Sequence, residues 1–90
     1  FAAEKANKKN QILEDAYNSG SSDAWGSSST VEDLIRQGYT KRDINGMQIQ
    51  QGRINYKEDY GEPKTSEEKQ LMEQYAEKYA EGFMKTMFKN

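Results

Sequence analysis

The stretch TSEEKQLMEQYAEKYAEGFMKTMFKN, residues 65–90, carries the strongest helix signal in the chain. Thr65 and Glu68 have the spacing of a capping box at its start, and lysines gather toward its end, where the helix dipole favours positive charge. Apolar residues recur at every fourth position, which places them on one helical face. These residues are Leu71, Tyr75, Tyr79, Phe83 and Met87. The pattern predicts one amphipathic helix over residues 65–90.

The aromatic and methionine side chains of this stripe allow two interpretations. Apolar stripes at helical spacing usually form the core of a helical protein. Aromatic and methionine side chains that stay exposed form adaptable binding surfaces. We expect the stripe to do both, packing inside the chain and contacting a partner.

Residues 29–57 are predicted to form a helical hairpin that precedes this helix. Ser29 or Thr30 can cap its first helix, because acidic side chains follow three residues later. Gly38 stands where a left-handed residue commonly follows a helix end, and Tyr39 lies between the two helices. The apolar face of the first helix consists of Val31, Leu34 and Ile35.

The second helix of the hairpin begins with another capping signal. Thr40 is followed by Asp43 at the third position. Gly52 is predicted to end this helix, since glycine is unfavourable within a helix. Residues 53–64 then read as an exposed connector, and its acidic part spans residues 58–64.

The first part of the chain is predicted to consist of a helix and a tether. Residues 1–18 are rich in helix formers, with a thin apolar stripe. Residues 19–28 are rich in serine and glycine, a composition typical of a flexible linker. Trp25 is the single tryptophan of the chain. A tryptophan in such a segment either anchors the chain to a partner or packs on the chain's own core, and both alternatives stay open here.

The composition limits how the chain can be stabilised and what chemistry it can perform. Apolar residues make up 33% of the chain, and Leu, Ile, Val and Phe account for 12 of 90 residues. The chain has no cysteine and no histidine, so it has neither disulfides nor a Ser-His or Cys-His nucleophile. We expect no catalytic residue, no cofactor and no metal, and we predict that the chain is not an enzyme.

Charge and hydropathy also limit the partners. The net charge is −2, from 13 basic and 15 acidic residues, and no basic block marks a nucleic-acid-binding tail. No apolar run is long enough to cross a bilayer, so any contact with a membrane complex is expected at its surface. The fold class that follows is mainly α: about four helices in an extended, partner-dependent arrangement, because so polar a chain has little core of its own.

The segment DLIRQGYTKRDI, residues 33–44, resembles two families of helical hairpin. It is similar to the first half of a helix-turn-helix, which implies that residues 40–42 begin a DNA-reading helix. It also resembles the ubiquitin-associated domain, which implies that residues 37–39 form the loop that faces ubiquitin. Either resemblance covers about twelve residues, and the third helix that both families require has no apolar periodicity here.

The first residues, FAAE, resemble the mature start of plastid proteins in algae with red-lineage plastids. A chain that begins at Phe1 and not at Met is expected to be processed, trimmed or a fragment. The resemblance implies a location in the plastid stroma or thylakoid lumen. It also implies a photosystem or light-harvesting complex as the partner.

These observations predict a non-enzymatic accessory or linker subunit that binds and stabilises a larger protein complex. The alternative is a self-standing helical module of the helix-turn-helix or ubiquitin-associated type. The residues predicted to bind the partner are Trp25, Val31, Leu34, Ile35, Tyr39, Leu71, Tyr75, Tyr79, Phe83 and Met87.

Overall fold

The computed structural model describes the backbone of residues 2–89 and the side chains of residues 8–89. Within this part of the chain there are four α-helices and no strand, which confirms the prediction of a mainly α fold. The helices are α1, Ala2–Trp25; α2, Ser28–Arg36; α3, Lys41–Tyr60; and α4, Ser66–Met87. The molecule is elongated and measures 49 × 24 × 18 Å along its principal axes.

Helix α4 lies between α1 and α3 and holds the fold together. It runs parallel to α1, because Ala16 shares a core cluster with Tyr75 and the Ser21 hydroxyl oxygen, further along α1, lies 2.6 Å from that of Thr86. Helix α1 makes few contacts with α3. The three long helices therefore form a layer with α4 in the middle.

Helix α3 runs antiparallel to α4. Its first residue, Lys41, lies over the ring of Phe88 at the end of α4. Near its other end, Tyr56 packs edge-to-face on Tyr75, with ring centroids 5.6 Å apart. The short helix α2 carries the chain from the end of α1 to the start of α3 at the same end of the molecule.

The backbones of α1 and α4 touch where they cross. A Cβ atom on Gly20 would overlap the carbonyl group of Tyr79, and a Cβ atom on Gly82 would overlap that of Tyr17. Each glycine thus makes room for the other helix. Because the backbones meet directly, dispersion contacts between main-chain atoms replace the large side chains that the composition lacks.

The predicted Ser/Gly linker over residues 19–28 is wrong. Helix α1 continues through it to Trp25, and only Gly26 and Ser27 separate α1 from α2. The reason is tertiary packing: Gly20 and Ala24 are buried against α4, so the burial outweighs the low helix propensity of serine and glycine.

The predicted connector over residues 53–64 is also wrong for most of its length. Helix α3 passes through Gly52 and ends at Tyr60. A Cβ atom on Gly52 would lie 2.7 Å from the Cα atom of Ala76, so this glycine permits a close approach between α3 and α4 and does not end the helix. The chain leaves α3 at Gly61, whose φ of 83° is readily adopted only by glycine.

The core consists of two clusters along α4. The cluster near its end contains Ala24, Val31, Ile44 and Phe83. The cluster near its start contains Ala16, Tyr56 and Tyr75. Ten apolar side chains are buried among the described residues, and four of them are alanines. The core is therefore small, and the close helix contacts supply part of what larger side chains would supply elsewhere.

Two of the predicted helix starts are confirmed. The Thr40 hydroxyl accepts a hydrogen bond from the Asp43 amide, and the Asp43 carboxylate accepts one from the Thr40 amide at 2.9 Å. The bond from the Thr40 amide holds the pKa of Asp43 below its usual value. At α4, the Thr65 hydroxyl accepts a hydrogen bond from the Glu68 amide. The Glu68 carboxylate accepts one from the amide of Lys64, the residue before the N-cap, and not from that of Thr65.

The predicted cap of α2 is wrong. The cap residue is Ser27, and its hydroxyl does not accept a bond from the helix. It donates to the carbonyl oxygen of Asp23 at 2.8 Å. Helix α2 begins at Ser28, so Ser29 and Thr30 lie inside the helix and cannot cap it. The end of α2 is as predicted, with Gly38 at a φ of 101°.

Candidate functional site

One end of the molecule, where α1 and α4 end and α3 begins, exposes apolar side chains next to two lysines. We call this region the apical surface. It consists of the exposed side chains of Trp25, Ile35 and Tyr39 and the half-buried ring of Phe88, with Lys41 and Lys89. The Trp25 side chain is 72% exposed, the highest value among the large apolar residues that the structure leaves exposed. Tryptophan is highly buried on average in folded proteins, and an exposed apolar patch rimmed by polar side chains is typical of an interaction surface.

The lysines of the apical surface lie over its aromatic rings. The Nζ atom of Lys89 is 5.4 Å from the centre of the Trp25 ring, and that of Lys41 is 4.9 Å from the centre of the Phe88 ring. Among the described side chains, neither lysine forms an ion pair with a carboxylate. The surface therefore combines accessible rings with two positive charges that no acidic side chain of residues 8–89 neutralises.

The turn between α2 and α3 presents the remaining part of this surface. The Gly38 amide donates to the carbonyl of Ile35 at 3.0 Å, and the Tyr39 amide donates to that of Leu34 at 3.1 Å, which is the Schellman arrangement at a helix end. These bonds hold the backbone in place while Tyr39 and Ile35 stay exposed. The two side chains are thus presented by an ordered turn.

The structure divides the predicted face of α2. Val31 is buried in the core cluster near the end of α4, Leu34 is half-buried against the same cluster, and Ile35 is exposed. Trp25 and Tyr39, also predicted to bind a partner, are exposed. Three of these five residues therefore stay accessible.

The predicted binding role of the α4 stripe needs a correction. Tyr75, Tyr79 and Phe83 are buried in the core, so a partner cannot reach them. Leu71 and Met87 are half-buried and pack against the two clusters. The physical reason is that α4 lies between α1 and α3, so the middle of its apolar face is covered inside the chain.

A second feature of the fold is a cleft that is bounded by the end of α1, by α2 and by the middle of α3. At its base, the Tyr79 hydroxyl donates to the carboxylate of Asp23. Burial raises the pKa of the Tyr79 hydroxyl, and the bond to Asp23 raises it further. Sequence reasoning missed Asp23 because it fell within the presumed linker, and no local motif marks it.

An ion pair joins α3 to α4 near the middle of the molecule. The Arg53 guanidinium donates to the Glu73 carboxylate through Nε at 2.9 Å and through Nη2 at 2.7 Å. This bidentate bond raises the pKa of Arg53 and lowers that of Glu73. Both side chains are about one-third to one-half exposed. The pair therefore fixes the relative orientation of α3 and α4 more than it raises the free energy of unfolding.

Within the described residues, no group of three or more acidic side chains is arranged to hold a metal ion. No helix of residues 2–89 is both long enough and apolar enough to cross a bilayer.

Comparison with known proteins leaves the resemblances of residues 33–44 as predictions. No protein-family model, curated protein or solved structure matches the chain. Phe1, which carries the resemblance to plastid proteins, lies outside the described residues.

Proposed function

We propose that this chain is a non-enzymatic accessory subunit that binds a larger protein complex through its apical surface. The observation that carries the proposal is the exposure of Trp25 at the end of α1, with Lys89 over its ring. Tryptophan is enriched among the residues that dominate binding energy at protein interfaces. Its exposure in the free chain is explained if a partner covers it.

The charges of the apical surface favour a partner with carboxylates around an apolar patch. Lys41 and Lys89 extend over aromatic rings, so an acidic side chain of the partner can pair with each ammonium while apolar groups cover the rings. Phosphate backbones are a poorer fit, because the chain carries a net charge of −2.

A photo-crosslinking experiment tests the proposal in cells of the source organism. The photoreactive residue p-benzoylphenylalanine replaces Tyr39, which is exposed at the apical surface. The expected result is an adduct with one protein species. The same residue placed at Glu67, an exposed position at the start of α4, is the matched control and should give no such adduct.

The variant Trp25→Ala makes the experiment quantitative. Loss of an interface tryptophan typically weakens binding by about 2 kcal/mol or more, which is about thirtyfold. The Tyr39 adduct should then fall strongly, whereas Ile54→Ala, which removes an exposed side chain on the outer face of α3, should leave it unchanged. Equal yields from wild type and Trp25→Ala would remove Trp25 from the interface and contradict the proposal.

A narrower form of the proposal names a plastid photosystem or light-harvesting complex as the partner. It is supported by residues 1–3 alone. Identification of the crosslinked protein by mass spectrometry tests it directly, since a partner from another compartment would contradict it.

The second candidate function is ubiquitin binding by the turn of residues 37–39. The exposure of Tyr39 in an ordered turn supports it. Titration of the ¹⁵N-labelled chain with ubiquitin should then shift the amide resonances of this turn. Unchanged spectra in a large excess of ubiquitin would eliminate this candidate.

A further inference from the structure

The cleft beside α1 has the size and composition of a small binding site. Its volume is about 420 Å³, near the lower end of the range for small-molecule pockets. Buried apolar residues, among them Val31 and Phe83, form its floor. Side chains that can accept hydrogen bonds line its walls, and these are Ser22, Ser27, Thr30, Gln48 and Gln51.

The cleft contains one acidic side chain. Among the described residues that line it, Asp23 is the only one with an acidic or basic side chain. Its carboxylate is held from beneath by the hydroxyl of Tyr79, a residue that is 2% exposed. Among the described side chains, no lysine or arginine forms an ion pair with Asp23. Its carboxylate therefore has no cationic partner among these side chains.

The position of Asp23 in its helix is unfavourable for folding. It lies in the last turn of α1, which contains no basic residue. The negative end of the helix dipole disfavours a carboxylate there by about 0.3–1 kcal/mol. A local conflict of this kind is expected mainly where function requires it. The dipole and the carboxylate together attract a cation to the cleft.

We propose that this cleft binds a primary alkylammonium group. An ammonium has three donors, of which one can bond to Asp23 while hydroxyl and amide oxygens of the walls accept the others. The alkyl part then lies on the apolar floor at Val31 and Phe83. The same chemistry is offered by a small free amine and by a lysine side chain of a partner protein. The site is separate from the contacts of the apical surface, so either proposal can fail without the other.

Nuclear magnetic resonance of the ¹⁵N-labelled chain tests this site. The probe is n-butylammonium chloride at constant ionic strength. Saturable shifts are expected at the side-chain amides of Gln48 and Gln51, with a dissociation constant of about 1–10 mM. Tetramethylammonium, which has the charge but no N–H donor, is expected to give no saturable shift.

Two variants and one control assign the binding to the named groups. Asp23→Asn keeps an oxygen that can accept the bond from Tyr79 but removes the charge, and binding should weaken about tenfold or more. Thr30→Val removes one wall hydroxyl without touching Tyr79 and should weaken binding about threefold. Asp33→Asn, which alters an exposed carboxylate paired with Arg36 outside the cleft, should leave binding unchanged.

The source of the ammonium is distinguished with two lysine derivatives. If Nα-acetyl-lysine amide binds within a few-fold of butylammonium, a lysine of a partner can fill the site. If only butylammonium saturates the shifts, the ligand is a small amine. The Nε-acetylated derivative, which lacks the charge, should not bind. The absence of saturable shifts with both amines, or equal binding by wild type and Asp23→Asn, would overturn the proposal.

Discussion

At Gly20, Gly52 and Gly82, the backbone of a second helix comes close enough to exclude a side chain. Gly46, in the middle of α3, is different, because no atom lies within 4 Å of where its Cβ would be. The entropic cost of glycine in a helix is the same at all of these positions. Only at the first three does a close helix contact offset that cost.

This difference predicts opposite effects of one substitution. Gly46→Ala should raise the free energy of unfolding by about 1 kcal/mol, because alanine gains helix propensity without a steric clash. Gly82→Ala should lower it by about 2 kcal/mol or more, because the new Cβ overlaps the carbonyl of Tyr17. Urea unfolding of both variants measures the effects. A destabilised Gly46→Ala would show that the outer face of α3 is more crowded than the structure indicates.

The buried tyrosines predict how stability changes at high pH. Burial raises the pKa of Tyr75 to about 12, and it also raises the pKa of Tyr79. Below about pH 10 these hydroxyls are protonated in both the folded and the unfolded chain, so their contribution is complete there. Above about pH 10 the unfolded chain loses the protons first, and the free energy of unfolding should fall as pH rises.

Urea midpoints measured between about pH 8 and pH 11 check this expectation. Tyr79→Phe removes one titrating group, so its decline should be shallower. At neutral pH the same variant should lose about 1 kcal/mol with the bond to Asp23. A midpoint that stays constant through this range would contradict the burial of both hydroxyls.

At the scale of the helices, local signals in the sequence predicted where helices begin. Long-range packing determined how far α1 and α3 extend. The capping box at Thr40 and the period of α4 could be predicted, because each depends on residues within a few positions of one another. The extension of α1 past Gly20 could not, since it depends on Tyr79, far along the chain. The same holds for Gly52, whose partner is Ala76.

The candidate sites followed the same division. The two alternatives for Trp25 were an anchor to a partner and packing on the chain's own core; Trp25 is exposed, so it does not pack on that core. The cleft at Asp23 was missed, because it exists only if α1 continues as a helix to that residue. A signal was present: Ala16, Gly20 and Ala24 are spaced by four, which is typical of a helix face that approaches another helix closely.

The cap of α3 gives a prediction at this scale. Thr40→Ala removes the hydroxyl that accepts from the Asp43 amide and should lower the free energy of unfolding by about 1 kcal/mol. Thr30→Ala is the control, because Thr30 is exposed within α2 and alanine is the better helix former. Chemical denaturation of the two variants should separate them, and equal midpoints would argue against the cap.

The whole molecule has a large surface for its core. Its radius of gyration is 14.1 Å, whereas a compact domain of this length has about 12 Å. The layer of three long helices leaves both faces of the layer partly open, and four of the ten buried apolar residues are alanines. Burial of small side chains contributes little each, since the hydrophobic free energy follows the apolar area removed from water.

We therefore expect the isolated chain to unfold cooperatively in urea with a free energy of about 5 kcal/mol or less. A partner that covers the apical surface would raise the apparent stability, because it binds the folded chain and not the unfolded one. Circular dichroism of the purified chain, alone and with its crosslinked partner species, measures both values. A free energy well above this range in the isolated chain would mean that the glycine-mediated contacts suffice by themselves. The exposure of Trp25 would then be the sole reason to invoke a larger complex.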